Sequence, residues 1–335
     1  MDHCVIAVDV MGGDNAPQVV IEGIAAALAT DPDLEILAVG PEGAFGDALP
    51  ERCTYRVASE VITMEEHPAN AVRTKKDSSI VVGCKAVKEG AAQGFYSAGS
   101  TGAMLVAATL RMGRIKQVSR PMLGTIIPSG TGPLLLCDVG ANADCKPEYL
   151  LQFAVMGNAY MRAVFGVDEP RVGLLNIGEE DTKGSAFAQE TNALLRAELP
   201  GFAGNAQGKD IVNGGFDVIV TDGFTGNVCL KAIEGTTKFL FKSIKKHLLS
   251  SWRSKVGAVL IRRSISGLKE QFNPDTYGGA PLIGVDGACV IGHGSSNAEA
   301  ITNGILMTAR VARSNLTGRI SEAMAMQTDA SAGEA

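Results

Sequence analysis

Short apolar runs alternate along this chain with stretches in which hydrophobic side chains recur every three or four positions. The runs predict strands at Val5–Val10, Leu34–Val39, Gly94–Ser97, Met122–Ile127, Leu134–Val139, Arg171–Asn176, Asp217–Thr221 and Cys289–Gly292. Between them, Gln18–Leu28 sets Val20, Ile24 and Leu28 on one helical stripe, and Pro147–Met161 does the same with Leu150, Phe153, Ala154 and Met161. Strands alternating with amphipathic helices predict parallel strands joined by helical crossovers, hence a three-layer α/β/α sandwich about a mostly parallel sheet.

Nearly every predicted strand runs into a polar, glycine-rich turn. The turns are Met11-Gly-Gly-Asp-Asn15, Ser97-Ala-Gly-Ser-Thr-Gly102, Gly140-Ala-Asn-Ala-Asp144, Gly178-Glu-Glu-Asp-Thr-Lys-Gly184, Asp222-Gly-Phe-Thr-Gly-Asn227 and Gly292-His-Gly-Ser-Ser-Asn297. In an open parallel sheet such turns gather at the carboxyl ends of the strands, where bare N–H groups and helix N-termini hold anions. They predict one cleft that handles a phosphate.

The chain has 335 residues, 46% hydrophobic but only 5% aromatic, with 40 glycines. That composition suits close helix-on-sheet packing. No composition shift, repeat or linker divides it, so residues 1–325 are expected to form a single domain, with 326–335 polar and small enough to be a disordered tail. The seven cysteines lack metal-type spacing and sit mostly in apolar runs, as reduced buried thiols do. No run is long and apolar enough to span a bilayer, and no leader-like segment opens the sequence. A cytoplasmic protein is expected, with any contact at the inner face of the cell membrane peripheral.

Charge is unevenly spread. Between residues 238 and 263 stand Lys238, Lys242, Lys245, Lys246, Arg253, Lys255, Arg262 and Arg263 with no acidic residue; the chain's net charge is −6, so the remainder carries −14. Phe239, Leu240, Phe241, Ile244, Leu248, Leu249 and Trp252 interleave with the cations. A basic amphipathic excursion over about 238–270 would suit an anionic membrane or an acidic protein. The plainer reading is a solvated helix face over ordinary core.

Several chemistries lack their signatures. The chain has no Walker loop, Gly-x-Ser-x-Gly elbow, kinase signature or His-Glu-x-x-His. Met11-Gly-Gly-Asp-Asn15 also has the wrong spacing for a dinucleotide loop, and Asp14 would repel a pyrophosphate. Candidate substrate ligands are Gly12, Gly13 and Asp14; Gly99, Ser100, Thr101 and Gly102; Asn142; Asn176 and Gly178 with Lys183; Asp222, Gly223, Thr225, Gly226 and Asn227; and His293. Each has a structural alternative, since Ser, Asp and Asn at these places also cap helices. Asp9, Asp14, Asp138 and Asp144 are read as turn and helix caps; no obligatory metal and no cofactor are expected.

Taken in order, Ile6-Ala-Val-Asp-Val-Met-Gly-Gly-Asp-Asn-Ala-Pro17, Ser97-Ala-Gly-Ser-Thr-Gly-Ala103, Asp138-Val-Gly-Ala-Asn142, Cys145-Lys-Pro147, Gln152-Phe-Ala-Val-Met-Gly157, Gly223-Phe-Thr-Gly-Asn227, Gly278-Gly-Ala-Pro281, Gly284-Val-Asp-Gly287 and Gly292-His-Gly-Ser-Ser296 resemble the PlsX phosphate acyltransferases of bacterial phospholipid synthesis, from the first strand to about Arg313. The resemblance implies acyl transfer from acyl carrier protein to inorganic phosphate, giving an acyl phosphate for a membrane glycerol-3-phosphate acyltransferase. It implies a homodimer, no nucleic-acid partner, and a fold like that of isopropylmalate dehydrogenases and phosphotransacetylases. It makes Lys183 and Asn227 the catalytic pair. One departure is Ser100, where the family commonly has Asn.

The chemistry implied needs no enzyme nucleophile, because phosphate is already an anion and a thiolate leaves readily; it needs alignment and a stabilised oxyanion. Two other readings stay open: a coenzyme A-dependent phosphotransacylase, and a non-catalytic membrane scaffold or phosphate sensor.

Overall fold

The computed structural model describes residues 3–46, 49–271 and 274–333. In chain order the elements are β1 (Cys4–Asp9), α1 (Gln18–Thr30), β2 (Leu34–Gly40), β3 (Cys53–Val57), α2 (Pro68–Thr74), α3 (Ser79–Lys88), β4 (Gly94–Ser97) and α4 (Thr101–Ala107), which runs on as a π-helical turn over Ala108–Met112. Next come β5 (Met122–Ser129), β6 (Gly132–Cys137), α5 (Pro147–Phe165), β7 (Val172–Leu175), α6 (Ala186–Glu198), β8 (Phe202–Ala206), α7 (Asp210–Asn213) and β9 (Val218–Val220). The remainder is α8 (Gly223–Leu248), α9 (Trp252–Gln271), a 3₁₀ turn over Pro274–Tyr277, β10 (Ala280–Ile283), β11 (Ala288–Ile291), α10 (Ala298–Arg313) and α11 (Leu316–Gly333).

Among the described residues eleven strands form one sheet in the order β3-β2-β1-β4-β11-β10-β5-β6-β9-β7-β8. All eight strands expected from the sequence are present, and most pairings are parallel. Three are not: β11 with β10, β10 with β5, and β5 with β6. Strand direction therefore reverses at the centre, and the polar turns do not share one edge of a uniformly parallel sheet.

Helices cover both faces because the strands are apolar on both. On β1, Ile6 and Val8 join a core with Val20 and Ile24 of α1 and Ile301 and Ile305 of α10, while Ala7 points into the opposite core. That opposite core carries Ile80 of α3, Phe95 of β4 and Met104 of α4, and continues without a break to Leu134 and Leu136 of β6. Leu135 and Cys137 of β6 face the other way, onto Phe153, Met156 and Tyr160 of α5. The two halves of the sheet share a core.

α11 runs to Gly333, so the terminal stretch expected to be disordered is helical over 326–333. The basic excursion begins within α8, a helix that starts at Gly223, and folds back as α9. Among the described residues no helix is long and apolar enough to cross a membrane.

Candidate active site

Three loops of the first half interlock. Asp9, at the end of β1, is buried; its Oδ1 accepts the Met11 N–H at 3.0 Å and its Oδ2 the Ser97 hydroxyl at 2.7 Å. Ser97 Oγ in turn accepts the Gly99 N–H at 3.0 Å. A Cβ on Gly12 would lie 2.8–3.0 Å from Ala98 N, Ser97 Oγ and Gly99 N, so only glycine lets the β1 and β4 loops press this closely. The Asp14 N–H donates to the Gly294 carbonyl at 2.8 Å and the Gly292 N–H to the Ser97 carbonyl at 2.9 Å, which brings in the loop after β11. Burial pushes the Asp9 carboxyl up from its ordinary range, against hydrogen bonds from Ser97 and Met11 that favour the anion.

The second half is organised the same way around Asp138, directly after β6. Its Oδ1 accepts N–H groups from Leu123, Gly140 and Ala141 at 3.0–3.2 Å; its Oδ2 accepts Asn142 N at 2.7 Å and Asn142 Nδ2 at 2.9 Å. Burial raises this carboxyl too, opposed by that ring of donors. The nest leans on the first turn of α8. The Gly223 N–H donates to the Asn142 carbonyl at 2.7 Å, and a Cβ on Gly226 would run into the Asp138 carbonyl oxygen.

β10 joins the two halves. Its four residues span about 13 Å at 3.3 Å per residue. The end of β11 stands beside its start (Ala280 with Ile291), and the start of β5 beside its end (Ile283 with Met122). β6 finishes next to the start of β5 (Gly124 with Cys137). The loops of both halves thus open onto one cavity of about 1090 Å³ over β10 and β5, floored by Leu123, Ile126 and Leu282. One face of α8, carrying Asn227, Leu230, Lys231, Glu234, Lys238 and Phe241, closes its side.

Of the candidate substrate ligands, Asp14, Gly99, Thr101, Gly102, Asn227 and His293 line this cavity, as does Lys238 of the basic segment. Asn227 is exposed and free of capping duty, because Asp222 caps α8 by accepting the Thr225 N–H at 2.8 Å. His293 accepts the Ser295 N–H at Nδ1, so the neutral ring carries its proton on Nε2.

Others stand behind the wall. Gly12 and Gly13 (φ +106°) shape the β1 turn, Gly223 and Gly226 seat α8, and Ser100 caps α4 from a buried position. Thr225 Oγ1 donates to Asp222 Oδ2 at 2.7 Å, and Asn142 Nδ2 is held by Asp138 Oδ2 and the Pro121 carbonyl. Asn176 staples its own loop, donating to the Lys183 carbonyl at 3.1 Å and accepting the Ile177 N–H at 2.8 Å. Gly178 leaves room beneath the Lys183 side chain. Lys183 itself is exposed on this loop after β7, one strand beyond the β9–α8 turn and outside the cavity lining.

Leu230, Lys231, Glu234 and Thr237 on this α8 face were not among the sequence candidates, although their spacing from Asn227 is helical; Lys238, on the same face, was singled out only as one of the cations for a membrane or acidic partner. A smaller cavity of about 300 Å³, between residues 284–287 and the start of α11, touches none of the candidate residues.

The helical hairpin is well exposed. Phe239 is 71% accessible, Trp252 72% and Leu260 81%, which removes the reading of these side chains as ordinary core. The Arg253 guanidinium lies 5.5 Å from the Trp252 ring.

The architecture is that of the phosphotransacetylases. A phosphotransacetylase from Streptococcus pyogenes superposes with a TM-score of 0.59 at 18% identity, covering 92% of this chain and 94% of that one. The chain belongs to the fatty acid synthesis protein family, whose model matches residues 4–319. Enzymes named phosphate acyltransferase are similar over nearly their whole length: one from Desulfitobacterium hafniense is 46% identical, covering 90% of this chain and 91% of its own. Another, from Acidobacterium capsulatum, is 44% identical over 98% and 99%. The chain is an acyltransferase of this family.

Proposed function

We propose that the protein transfers a fatty acyl group from the thioester of acyl carrier protein to inorganic phosphate. The observation that carries this reading is the cavity itself, an apolar trough ending in glycine-rich loops with Asn227 unencumbered at their junction. A phosphate oxygen attacks the thioester carbonyl carbon, the tetrahedral oxyanion collapses, and the carbon–sulfur bond breaks. Acyl phosphate and carrier thiolate result, the thiolate taking its proton from solvent. Asn227 donates to the developing oxyanion from the wall, and Lys183, from the neighbouring loop, supplies the positive charge that orients phosphate.

Purified protein incubated with acyl carrier protein thioester should release carrier only when phosphate is present, with acyl phosphate formed in equal amount. Asn227→Ala and Lys183→Ala should each lower turnover about 100- to 1,000-fold. Near-normal turnover in both variants would remove them from the mechanism.

The exposed hairpin supports the rest of this reading. Its cations suit an acidic carrier and an anionic membrane, and its apolar side chains suit a second copy of the chain or the membrane surface. On this reading the protein is a homodimer that touches the membrane peripherally and hands acyl phosphate to a membrane glycerol-3-phosphate acyltransferase. Replacing Lys242, Lys245 and Lys246 by Glu should weaken both carrier affinity and liposome flotation. Unchanged values in both assays would leave the hairpin without either role.

A further inference from the structure

Seven α8 residues line the cavity, and the helical period of 100° per residue sets them all within about a third of the helix circumference. Charge along this stripe is ordered. Near Asn227, Lys231 is neutralised by Glu234 at 3.0 Å. Farther out stands Lys238, exposed, with no carboxylate paired to it among the described residues. This face of α8 thus has a polar but locally neutral stretch near Asn227 and an unpaired cation farther along.

Lys238 lies eleven residues beyond Asn227, about 16 Å along the axis at 1.5 Å per residue. That is too far for it to touch the reacting phosphate while Asn227 touches the thioester. An anion held at Lys238 must be a different group, joined to the thioester by a linker of this length. A pantetheine-type arm has this form: it carries a thiol at one end, two amides along its length and a phosphodiester at the other, on the order of 16 Å when extended at standard bond lengths.

We propose that this face of α8 is the track for the donor's pantetheine arm, with Asn227 at its thioester and Lys238 at its phosphodiester. Leu230 and the aliphatic stem of Lys231 flank the methylene stretches, and Glu234 and Thr237 offer acceptors to the amide N–H groups. The assignment rests on the acyl-transfer reading. It separates Lys238 from the other hairpin cations, which lie outside the cavity lining.

The test begins with binding, which needs no turnover. Free phosphopantetheine and free pantetheine are titrated calorimetrically into the native protein, Lys238→Glu and Lys238→Arg. The native protein and Lys238→Arg should hold the phosphorylated form about fivefold tighter, as suits one exposed charge pair, and Lys238→Glu should lose that preference. Equal affinity for both compounds in the native protein, or a preference that survives Lys238→Glu, would overturn the proposal.

Kinetics then separate the sources of the arm. Lys238→Glu should raise KM about fivefold for both the carrier-protein and coenzyme A thioesters, with KM for inorganic phosphate unchanged. A rise confined to the carrier-protein thioester would mean that Lys238 meets the carrier's surface, and the arm assignment would fall. Absence of turnover with either thioester in the native protein would count against the acyl-transfer reading alone.

Discussion

The Ser97 hydroxyl donates to Asp9 at 2.7 Å while accepting the Gly99 N–H at 3.0 Å, so one buried oxygen ties the end of β1 to the turn that opens α4. Ser97→Ala leaves the Gly99 N–H and one Asp9 oxygen without a partner, which should destabilise by about 1–3 kcal/mol. Both loops border the cavity, so KM for phosphate should rise more than kcat falls. Denaturant unfolding and initial rates at varied phosphate check the two halves; an unchanged KM would show that the relay serves folding only.

Asp138 offers only acceptors to five N–H bonds. Asp138→Asn turns an NH₂ toward some of those donors, and should lower stability by about 3 kcal/mol in urea titrations, with turnover lost in parallel as Asn227 is displaced. A variant of native stability would mean that the nest tolerates an amide.

Gly226 and Gly235 lie on the same helix and should respond in opposite directions. A Cβ at 226 strikes backbone, whereas a Cβ at 235 meets nothing within 4 Å. Gly226→Ala should lower stability by about 1–3 kcal/mol or more, and Gly235→Ala should raise it by about 1 kcal/mol through helix propensity. Thermal unfolding of the two variants side by side is the measurement.

Arg313 of α10 grips Asp31, just past α1, at 2.6 and 3.3 Å. Burial alone would raise the Asp31 carboxyl, but the hydrogen bond and charge of Arg313 and the Asp33 N–H outweigh it and hold the carboxyl below its ordinary range. A carboxyl held low in the folded chain contributes stability above about pH 4, the unfolded value, and loses it as pH falls through the folded value. Arg313→Gln should therefore lose about 1–2 kcal/mol at pH 7 and show a flatter acid limb than the native protein. Parallel acid limbs would detach Asp31 from this pair.

The three strands that the sequence did not announce share physical reasons for their silence. β3 and β8 are the two edges of the sheet: Thr54 and Arg56 dilute the first, where one side needs no apolar cover, and in the second Gly204 and a buried Asn205, bonded to Asn192 and the Glu180 carbonyl, break the apolar run. β10 opens after Gly278-Gly279 and contains Pro281, a residue that ordinarily argues against a strand. Missing β10 also hid the reversal of direction, since a parallel sheet needs no such strand. At the site, loop chemistry was legible for Asn227, His293 and Asp14. Composition could not distinguish a hydroxyl, amide or carboxylate that faces the cavity from one that caps a helix, as Ser100 and Asp222 do. Burial and hydrogen-bond partners make that distinction, and both depend on which strands are neighbours.

β10 also works as a spacer gauge. The β4 and β11 loops stand at one of its ends and the Asp138 nest near the other, so its four residues set the gap between the two groups of loops that border the cavity. Two residues more would part the walls by about 7 Å at 3.3 Å per residue, and two fewer would shut the trough. The distance between the two sets of loops is thus measured out by a strand that belongs to neither.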